Sequence, residues 1–221
     1  MSSAAEDLTA RARIRDAALA HFGEHGFEKA TIRGIAKTAG VSSGLLRHHF
    51  GSKEAVRDAC DEYVLGIVRK LNEETWAAYE AGDLGKAPSA RDPLGPYNRY
   101  IARSLIDGGS TELFDEITRM GEAWLATFDA RSGHEPHTSA RVRAAVVAAW
   151  GLAIPMMSEH LARVLGADLS SPQGFSLLAH ALLDLHSIPL MSPEEAAAAR
   201  TGLSEPPASG LSEQRKRSDP R

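Results

Sequence analysis

Cysteine is nearly absent from this sequence, with Cys60 as its one representative among 221 residues. A single cysteine excludes an internal disulfide and any zinc site built from several cysteines. Aromatic residues are also scarce, at 6%, and no apolar run reaches the roughly 18 residues that a membrane-spanning helix needs. The opening residues, MSSAAEDLTARAR, lack the apolar segment of a signal peptide. We therefore expect a globular, cytoplasmic protein with no membrane partner.

The apolar residues that are present are mostly alanine, leucine and valine, and they recur at helical spacing rather than in the alternation of a strand. The fold class that this pattern predicts is all-α. We predict helices over about 8–22, 32–39, 43–50, 53–80, 96–107, 111–131, 139–166 and 173–187. Gly23 and Gly26 are expected to end the first of them, and the Gly- and Pro-rich residues 81–96 are expected to form a loop.

Charge is distributed unevenly along the chain. The net charge is −4, but residues 8–57 carry nine basic and four acidic side chains, and the chain from Asp58 onward has a net charge of −7. A basic N-terminal part on an acidic remainder is typical of a protein that touches phosphate groups at one end only.

The segment TIRGIAKTAGVSSGLLRHHF has the spacing of a helix-turn-helix. Ala36 lets two helices cross closely, Gly40 accepts the positive φ of a tight turn, and Leu46 fills the wedge between the helices. The second helix then presents serine hydroxyls, a glycine and basic side chains, which suit the edges and backbone of a DNA major groove. The turn alone is also common in helical bundles that do not bind DNA.

Residues 11–60 together, from RIRDAALAHFGEHGF through the turn to HFGSKEAV, resemble the N-terminal domain of the TetR family of bacterial transcriptional regulators. The resemblance implies a homodimer with a three-helix DNA-binding head, over 8–52, and a ligand-binding and dimerisation body, over 53–190. It also implies no cofactor and, most often, repression of transcription. Residues 191–221 are rich in Pro, Ser and charge and are predicted to form a mobile tail.

The resemblance assigns DNA contacts residue by residue. Thr31 and Lys53 match positions that hold phosphates, and Arg33 matches a position that reads a base in some members, where an arginine can pair with guanine. Arg47 stands where the family most often has tyrosine. The positions that match the recognition helix are Ser42, Ser43, Gly44, Leu45, Arg47, His48 and His49.

The body has two apolar features. Residues 144–157 carry no charge on any face, so we expect them to be buried all round, with a homodimer interface formed by the helices at about 139–166 and 173–187. Pro155 should kink the first of these helices. A mainly hydrophobic small-molecule effector would be bound by aromatic and sulfur side chains, for which the candidates are Trp76, Tyr79, Tyr100, Phe114, Met120, Trp124, Phe128, Trp150, Met156 and Met157.

Other functions are weighed against this one. His21 and His25 are spaced i, i+4, as in some metal sites, but the predicted helix end between them and the lack of a third ligand nearby argue against a metal protein. No nucleophile motif or phosphate-binding glycine loop is present, so we expect no enzyme and no catalytic residue. A helical interaction protein or small-molecule-binding protein that does not bind DNA remains the main alternative.

Overall fold

The structure is a computed structural model that describes residues 2–83, 85, 94–107, 111–133 and 136–204, with side chains for residues 8–203 of these ranges. Within these ranges every regular element is helical, which confirms the all-α class. The helices are α1 (Ser2–Lys29), α2 (Ile32–Ala39), α3 (Ser43–Phe50), α4 (Lys53–Glu80), α5 (Asn98–Ile106), α6 (Thr111–Ser132), α7 (Ala140–Met156), α8 (Ser158–Leu165), α9 (Pro172–Ser187) and α10 (Pro193–Ser204). One turn of 3-10 helix, Gly95–Tyr97, precedes α5.

Helices α1 to α4 share one core at the N-terminal end of the protein. Its largest fully buried side chains include Ile14 of α1, Ile35 of α2, Leu46 of α3 and Val56 of α4. Each comes from a different helix, so the four helices fix one another's positions. The bounds of α2, α3 and α4 confirm the predictions from the caps and apolar spacing.

The first helix is longer than predicted. It continues through Gly23, and its backbone leaves the helical region only at Gly26, where φ is 77° and ψ is 166°. That region is open to glycine and nearly closed to other residues. The break expected at Gly26 is therefore present. The prediction that the helix stops at about residue 22 was wrong, because one glycine in a helix with tertiary support costs too little to end it.

Helix α5 rests directly on this glycine-containing part of α1. A β-carbon placed on Gly23 would lie 3.0 Å from the backbone N of Tyr100, so the two helices meet there almost backbone to backbone. Further along, the N–H of Phe27 donates to Asp107 Oδ2 at 3.3 Å. The Tyr100 hydroxyl donates to Asp61 Oδ1 of α4 at 2.5 Å. Helix α5 is thus tied to both α1 and α4.

Helices α4 and α6 are linked by a network of ion pairs centred on Glu116. Glu116 accepts hydrogen bonds from Arg69 of α4 at 2.8 Å and from Arg119 of α6 at 2.7 Å. These bonds, with that of Arg119 contributing most, lower the pKa of Glu116 to about 2. The carboxylate therefore stays ionised throughout the neutral pH range, and it remains hydrogen-bonded to both arginines there.

Residues 139–166 form two helices rather than the single one predicted. Helix α7 ends just after Pro155, and α8 follows at a bend of 70°. The kink expected from Pro155 is confirmed, and it is sharp enough to end the helix. No described helix is by itself long and apolar enough to cross a membrane; α7 and α8 meet that test only as this bent pair.

The charge-free segment is only partly buried in one chain. Ala144 and Ala148 are buried, but Val146, Val147 and Trp150 are 61%, 52% and 57% exposed. The expectation that residues 144–157 are buried all round is therefore wrong for a single chain. The reason is that α6 covers one side of α7, where Ala144 lies against Gly121, and leaves the opposite side uncovered.

The chain divides into two compact units, residues 1–175 and 176–221. The second unit holds most of α9 and all of α10, and its exposed apolar side chains include Leu177, Leu183 and Ile188. Helix α10 lies in the segment 191–221 that was predicted to be a mobile tail. Its four consecutive alanines favour a helix, although Pro and Ser residues surround them. Residues 205–221 of that tail lie outside the described residues. The predicted boundary between head and body at 52/53 stays a prediction.

Candidate DNA-binding surface and ligand sites

The turn between α2 and α3 has the geometry that its sequence predicts. Gly40 adopts φ 66° and ψ 36°, the left-handed conformation that glycine reaches without a steric penalty. The N–H of Gly40 donates to Lys37 O at 3.2 Å and that of Val41 to Ala36 O at 3.0 Å, which closes the end of α2. Leu46 is fully buried beneath the turn. The angle between α2 and α3 is thus fixed by short-range contacts.

Side-chain caps define where each short helix begins. Thr31 Oγ1 accepts from the N–H of Gly34, and Ser42 Oγ accepts from the N–H of Leu45, both at 3.0 Å. Ser52 Oγ does the same for Ala55 at 3.1 Å. Each hydroxyl keeps its own proton for a further acceptor, such as a phosphate oxygen.

Most of the predicted DNA contacts are exposed residues of α2 and α3 or of the caps that precede these helices. We call this set the recognition surface; its exposed members are Thr31, Arg33, Ser42, Ser43, Gly44, Arg47 and His48. Leu45 and His49 are half-buried, and the backbone carbonyl of His49 accepts from Arg11 Nη1 at 3.1 Å. The recognition surface therefore combines hydroxyl donors with two arginines at the start and end of a helix-turn-helix.

Lys53 occupies a different environment. Its ammonium donates to the carbonyl oxygens of Phe27 at 2.9 Å, Ala30 at 3.3 Å and Glu28 at 3.4 Å. It also lies 4.3 Å from the centre of the Phe27 ring. A positive charge at the carbonyl end of α1 is favourable. Lys53 thus closes the end of α1, a role that sequence reasoning missed; its contact with phosphate stays a prediction.

One exposed cation near the recognition surface was also missed. Lys37 follows Arg33 by four residues on α2, so the two side chains lie on the same face of that helix. That spacing could have identified Lys37. In contrast, Arg11 and Arg15 are stacked on the rings of Phe50 and Tyr63, at 4.5 and 3.5 Å. These two guanidinium groups therefore interact with aromatic rings of the protein itself.

The ten predicted pocket residues do not form one site. Trp76 and Tyr79 of α4 pack against Trp124 and Phe128 of α6, with ring centres 4.4 to 5.8 Å apart. Trp124 Nε1 donates to Asn72 Oδ1 at 2.8 Å. We call these four rings the aromatic cluster. Their edge-to-face contacts make it a packed part of the α4–α6 junction.

The other predicted pocket residues lie elsewhere. Trp150, Met156 and Met157 are exposed at the end of α7 and the bend that follows it. Met120 is buried within α6, and Phe114 is half-buried on the same helix. Amino-acid composition cannot predict which of these side chains lie together, since their positions depend on which helices pack against each other.

A cavity of about 260 Å³ lies between α1, α4 and α5. Of the predicted pocket residues, Tyr100 alone lines it. Burial, and then the charge of Asp61, raise the pKa of the Tyr100 phenol, which therefore stays protonated and donates to that carboxylate. The full lining is Phe22, Phe27, Glu28, Arg57, Tyr100, Arg103, Ser104 and Asp107. Sequence reasoning missed this cavity because its walls come from segments up to 85 residues apart.

The histidine pair of α1 does not form a metal site with other described residues. His21 and His25 lie on one continuous helical stretch, so the helix end that was expected between them is absent. Their ring centres are 5.6 Å apart. No group of three or more metal-ligating side chains is found among the described residues, and His21 Nε2 is hydrogen-bonded to Thr38 Oγ1 at 2.8 Å.

A capped helix-turn-helix with a basic, hydroxyl-bearing surface, followed by a long helix into a helical body, defines a DNA-binding protein of the helix-turn-helix class. Residues 14–60 match the model of the family described as "Bacterial regulatory proteins, tetR family". That range covers most of α1, the whole turn and the start of α4. The match therefore falls on the segment that carries the recognition surface.

Relatives extend the likeness beyond the head. The HTH-type transcriptional regulatory protein RaaS of Mycobacterium tuberculosis is 37% identical over 155 residues, which cover 66% of this chain and 69% of that protein. The HTH-type transcriptional regulator BetI of Stenotrophomonas maltophilia is 38% identical over 124 residues, about half the length of each protein. The chain belongs to the TetR family of bacterial transcriptional regulators. It is accordingly a DNA-binding regulator rather than an enzyme.

Two solved structures share the fold. GusR of Salmonella enterica superposes with a TM-score of 0.53 at 21% identity, over 70% of this chain and 86% of that one. The fatty acid degradation regulator FadR of Bacillus halodurans gives a TM-score of 0.52 at 17% identity, over 78% and 93%. At these identities the likeness concerns the architecture of a helix-turn-helix head with a helical C-terminal part.

Proposed function

We propose that this regulator binds a pseudo-palindromic operator as a homodimer, represses the genes that follow it, and is released by a small effector. The observation that carries the DNA part is the recognition surface, whose polar and basic side chains are exposed while Leu46 and Ile35 hold the two helices beneath it. Exposed donors on a rigid frame can read a groove without first reorganising. Because DNA is its partner, we retain the cytoplasm as its expected location.

The dimer part is supported by apolar side chains that a single chain leaves in water. Val142, Val146, Val147 and Trp150 of α7 are each more than half exposed. The α9 residues Leu183 and Leu185 are 66% and 48% exposed. Monomeric proteins rarely expose large apolar patches, and a twofold-symmetric partner would cover each of these helices with the same helix of its own. We therefore propose α7, α8 and α9 as the dimer interface.

The roles of individual residues are proposals of the same kind. Arg33 is placed to read a base, and the hydroxyls of Thr31 and Ser42 to bind phosphates. Lys53 would bind phosphate only by giving up a carbonyl of α1. The effector is proposed to be small and largely hydrophobic.

The test is a binding titration with duplex DNA from the region upstream of the chain's own gene, searched for an inverted repeat. We expect nanomolar affinity that falls steeply as salt is added. Arg33→Ala should reduce discrimination at one base pair per half-site, by about 1–3 kcal/mol. Lys37→Ala, its matched control on the same helix face, should weaken binding to all sequences alike.

Two results would contradict this proposal. If Arg33→Ala lowers affinity equally for matched and scrambled operators, Arg33 does not read a base. If the wild-type chain binds no duplex even at low salt, the alternative of a helical interaction protein without DNA binding is favoured instead.

A further inference from the structure

The cavity between α1, α4 and α5 combines an arc of aromatic side chains with two buried arginine Nε atoms that make no hydrogen bond with another described residue. Phe22, Phe27 and Tyr100 form an arc, with ring centres 5.6 Å apart for the two phenylalanines and 6.4 Å apart for Phe22 and Tyr100. This cavity is separate from the aromatic cluster, whose rings belong to the other end of α4. It therefore offers an apolar surface close to the DNA-binding head.

Polar atoms in the cavity wall lack hydrogen bonds. Arg57 Nε, Arg103 Nε and Ser104 Oγ are buried, and none of them makes a hydrogen bond with another described residue. Arg57 Nε is 3.9 Å from the nearest carboxylate oxygen, that of Asp58, and Arg103 Nε is 3.9 Å from Asp107 Oδ2. Ser104 is 7% exposed, and the nearest acceptor for its hydroxyl is the Tyr100 oxygen, which lies outside good hydrogen-bond geometry and already donates to Asp61. Buried donors without acceptors are unfavourable, and a ligand that supplied an acceptor would remove that cost.

The carboxylates that line the cavity do not satisfy these donors. Asp107 Oδ2 accepts from the backbone N–H of Phe27, and Glu28 is exposed at the rim. The guanidinium of Arg57 is held over the Phe27 ring at 4.4 Å, so its position is fixed before any ligand arrives. Two arginines from different helices thus line the same cavity, and each has an Nε–H that an anionic group could accept.

We propose that this cavity binds a small carboxylate with an apolar or aromatic body. The carboxylate would accept from Arg57, Arg103 and Ser104, and its body would pack on the three aromatic rings. A volume of about 260 Å³ has room for roughly nine non-hydrogen atoms, if each takes the volume of a water molecule. This inference rests on the effector part of the proposed function and names the chemical class of the effector.

The experiment is calorimetric titration of the full-length protein with benzoate, with neutral benzamide as the matched ligand. Benzoate should bind at least tenfold more tightly than benzamide, because only benzoate pairs with the arginines. Arg57→Gln and Arg103→Gln should each lower benzoate affinity about tenfold, as expected for one charge-assisted hydrogen bond. Arg131→Gln is the control, since Arg131 stacks on Tyr79 of the aromatic cluster, and it should change nothing.

Equal benzoate affinity in the wild type and both glutamine variants would overturn the proposal, as would loss of binding in Arg131→Gln or no binding at millimolar benzoate. Circular dichroism checks that each variant folds, and Arg103 is 41% exposed, so its variant should fold even if Arg57→Gln does not. In the wild type, amide shifts on adding benzoate should concentrate in residues 22–28 and 99–107. Shifts centred on 76–79 and 124–128 would place the ligand in the aromatic cluster instead. No DNA is used, so failure here is distinct from failure of operator binding.

Discussion

Replacing Gly23 by alanine tests how closely α5 rests on α1. The new β-carbon would lie 3.0 Å from the backbone N of Tyr100 and 3.3 Å from the carbonyl carbon of Arg99, both below the ordinary contact range that begins at 3.4 Å. These are backbone atoms of a helix, so they can yield only if α5 moves as a whole. Gly66 of α4 is the matched control, because a β-carbon there would meet nothing within 4 Å.

The two substitutions should change stability in opposite directions. Alanine in place of glycine stabilises a helix interior by about 0.5–1 kcal/mol, and this is the whole effect expected for Gly66→Ala. For Gly23→Ala the same gain is opposed by overpacking of about 1–3 kcal/mol, which leaves a net loss of about 1 kcal/mol. In a chain of this size that corresponds to a fall in Tm of about 2–4 °C, against a smaller rise for Gly66→Ala.

Thermal unfolding followed by circular dichroism measures both effects. The protein concentration must be the same throughout, because dimer formation would itself shift Tm. If Gly23→Ala raises Tm as Gly66→Ala does, α5 does not lie against α1 as described, and the cavity between them would have a different shape.

Three further predictions follow from other contacts. Glu116→Gln should reduce stability by about 1–2 kcal/mol at neutral pH, the full pKa effect being reduced by the exposure of its arginine partners. Because the folded pKa of Glu116 is lowered from 4.5 to about 2, its contribution is present above pH 4.5 and lost as the pH falls toward 2; urea unfolding across that range should show the variant and wild type converging. Ser42→Ala removes the acceptor for the N–H of Leu45 and should cost about 1 kcal/mol, whereas the neighbouring Ser43→Ala should stay within about 0.5 kcal/mol, both by chemical denaturation. Trp150→Glu should leave the helical content unchanged but yield monomers in light scattering, since Trp150 is 57% exposed in one chain; persistent dimers would exclude α7 from the interface.

Prediction from sequence succeeded where structure depends on neighbours in the chain. The caps Thr31, Ser42 and Ser52 and the glycine turn at Gly40 each act within about four residues, so α2, α3 and the start of α4 could be placed closely. It failed at Gly23 of α1, which was expected to end the helix. There Gly23 stays helical because α5 packs on it, and that contact is made by residues about 76 positions away.

The ligand site shows the same division. Both Trp76 and Trp124 were among the predicted pocket residues, but only the packing of α4 on α6 brings their ring centres to 4.4 Å from each other. Nothing in the local pattern around Arg57 or Arg103 indicates that both face one cavity. Lys53 was recognised as a conspicuous cation, yet its three carbonyl partners belong to a helix end more than 20 residues earlier.

The amino-acid sequence by itself determined that this protein is helical, that residues 31–52 form a helix-turn-helix, and that its basic charge lies at the N-terminal end. These properties come from backbone preferences, caps and composition, which act over a few residues. Only the tertiary structure decided which arginines are bound within the head and which lie on its surface, where the cavity lies, and which side of α7 is left exposed. Those outcomes depend on distances between residues far apart in the chain, and such distances are set by the packing of whole helices.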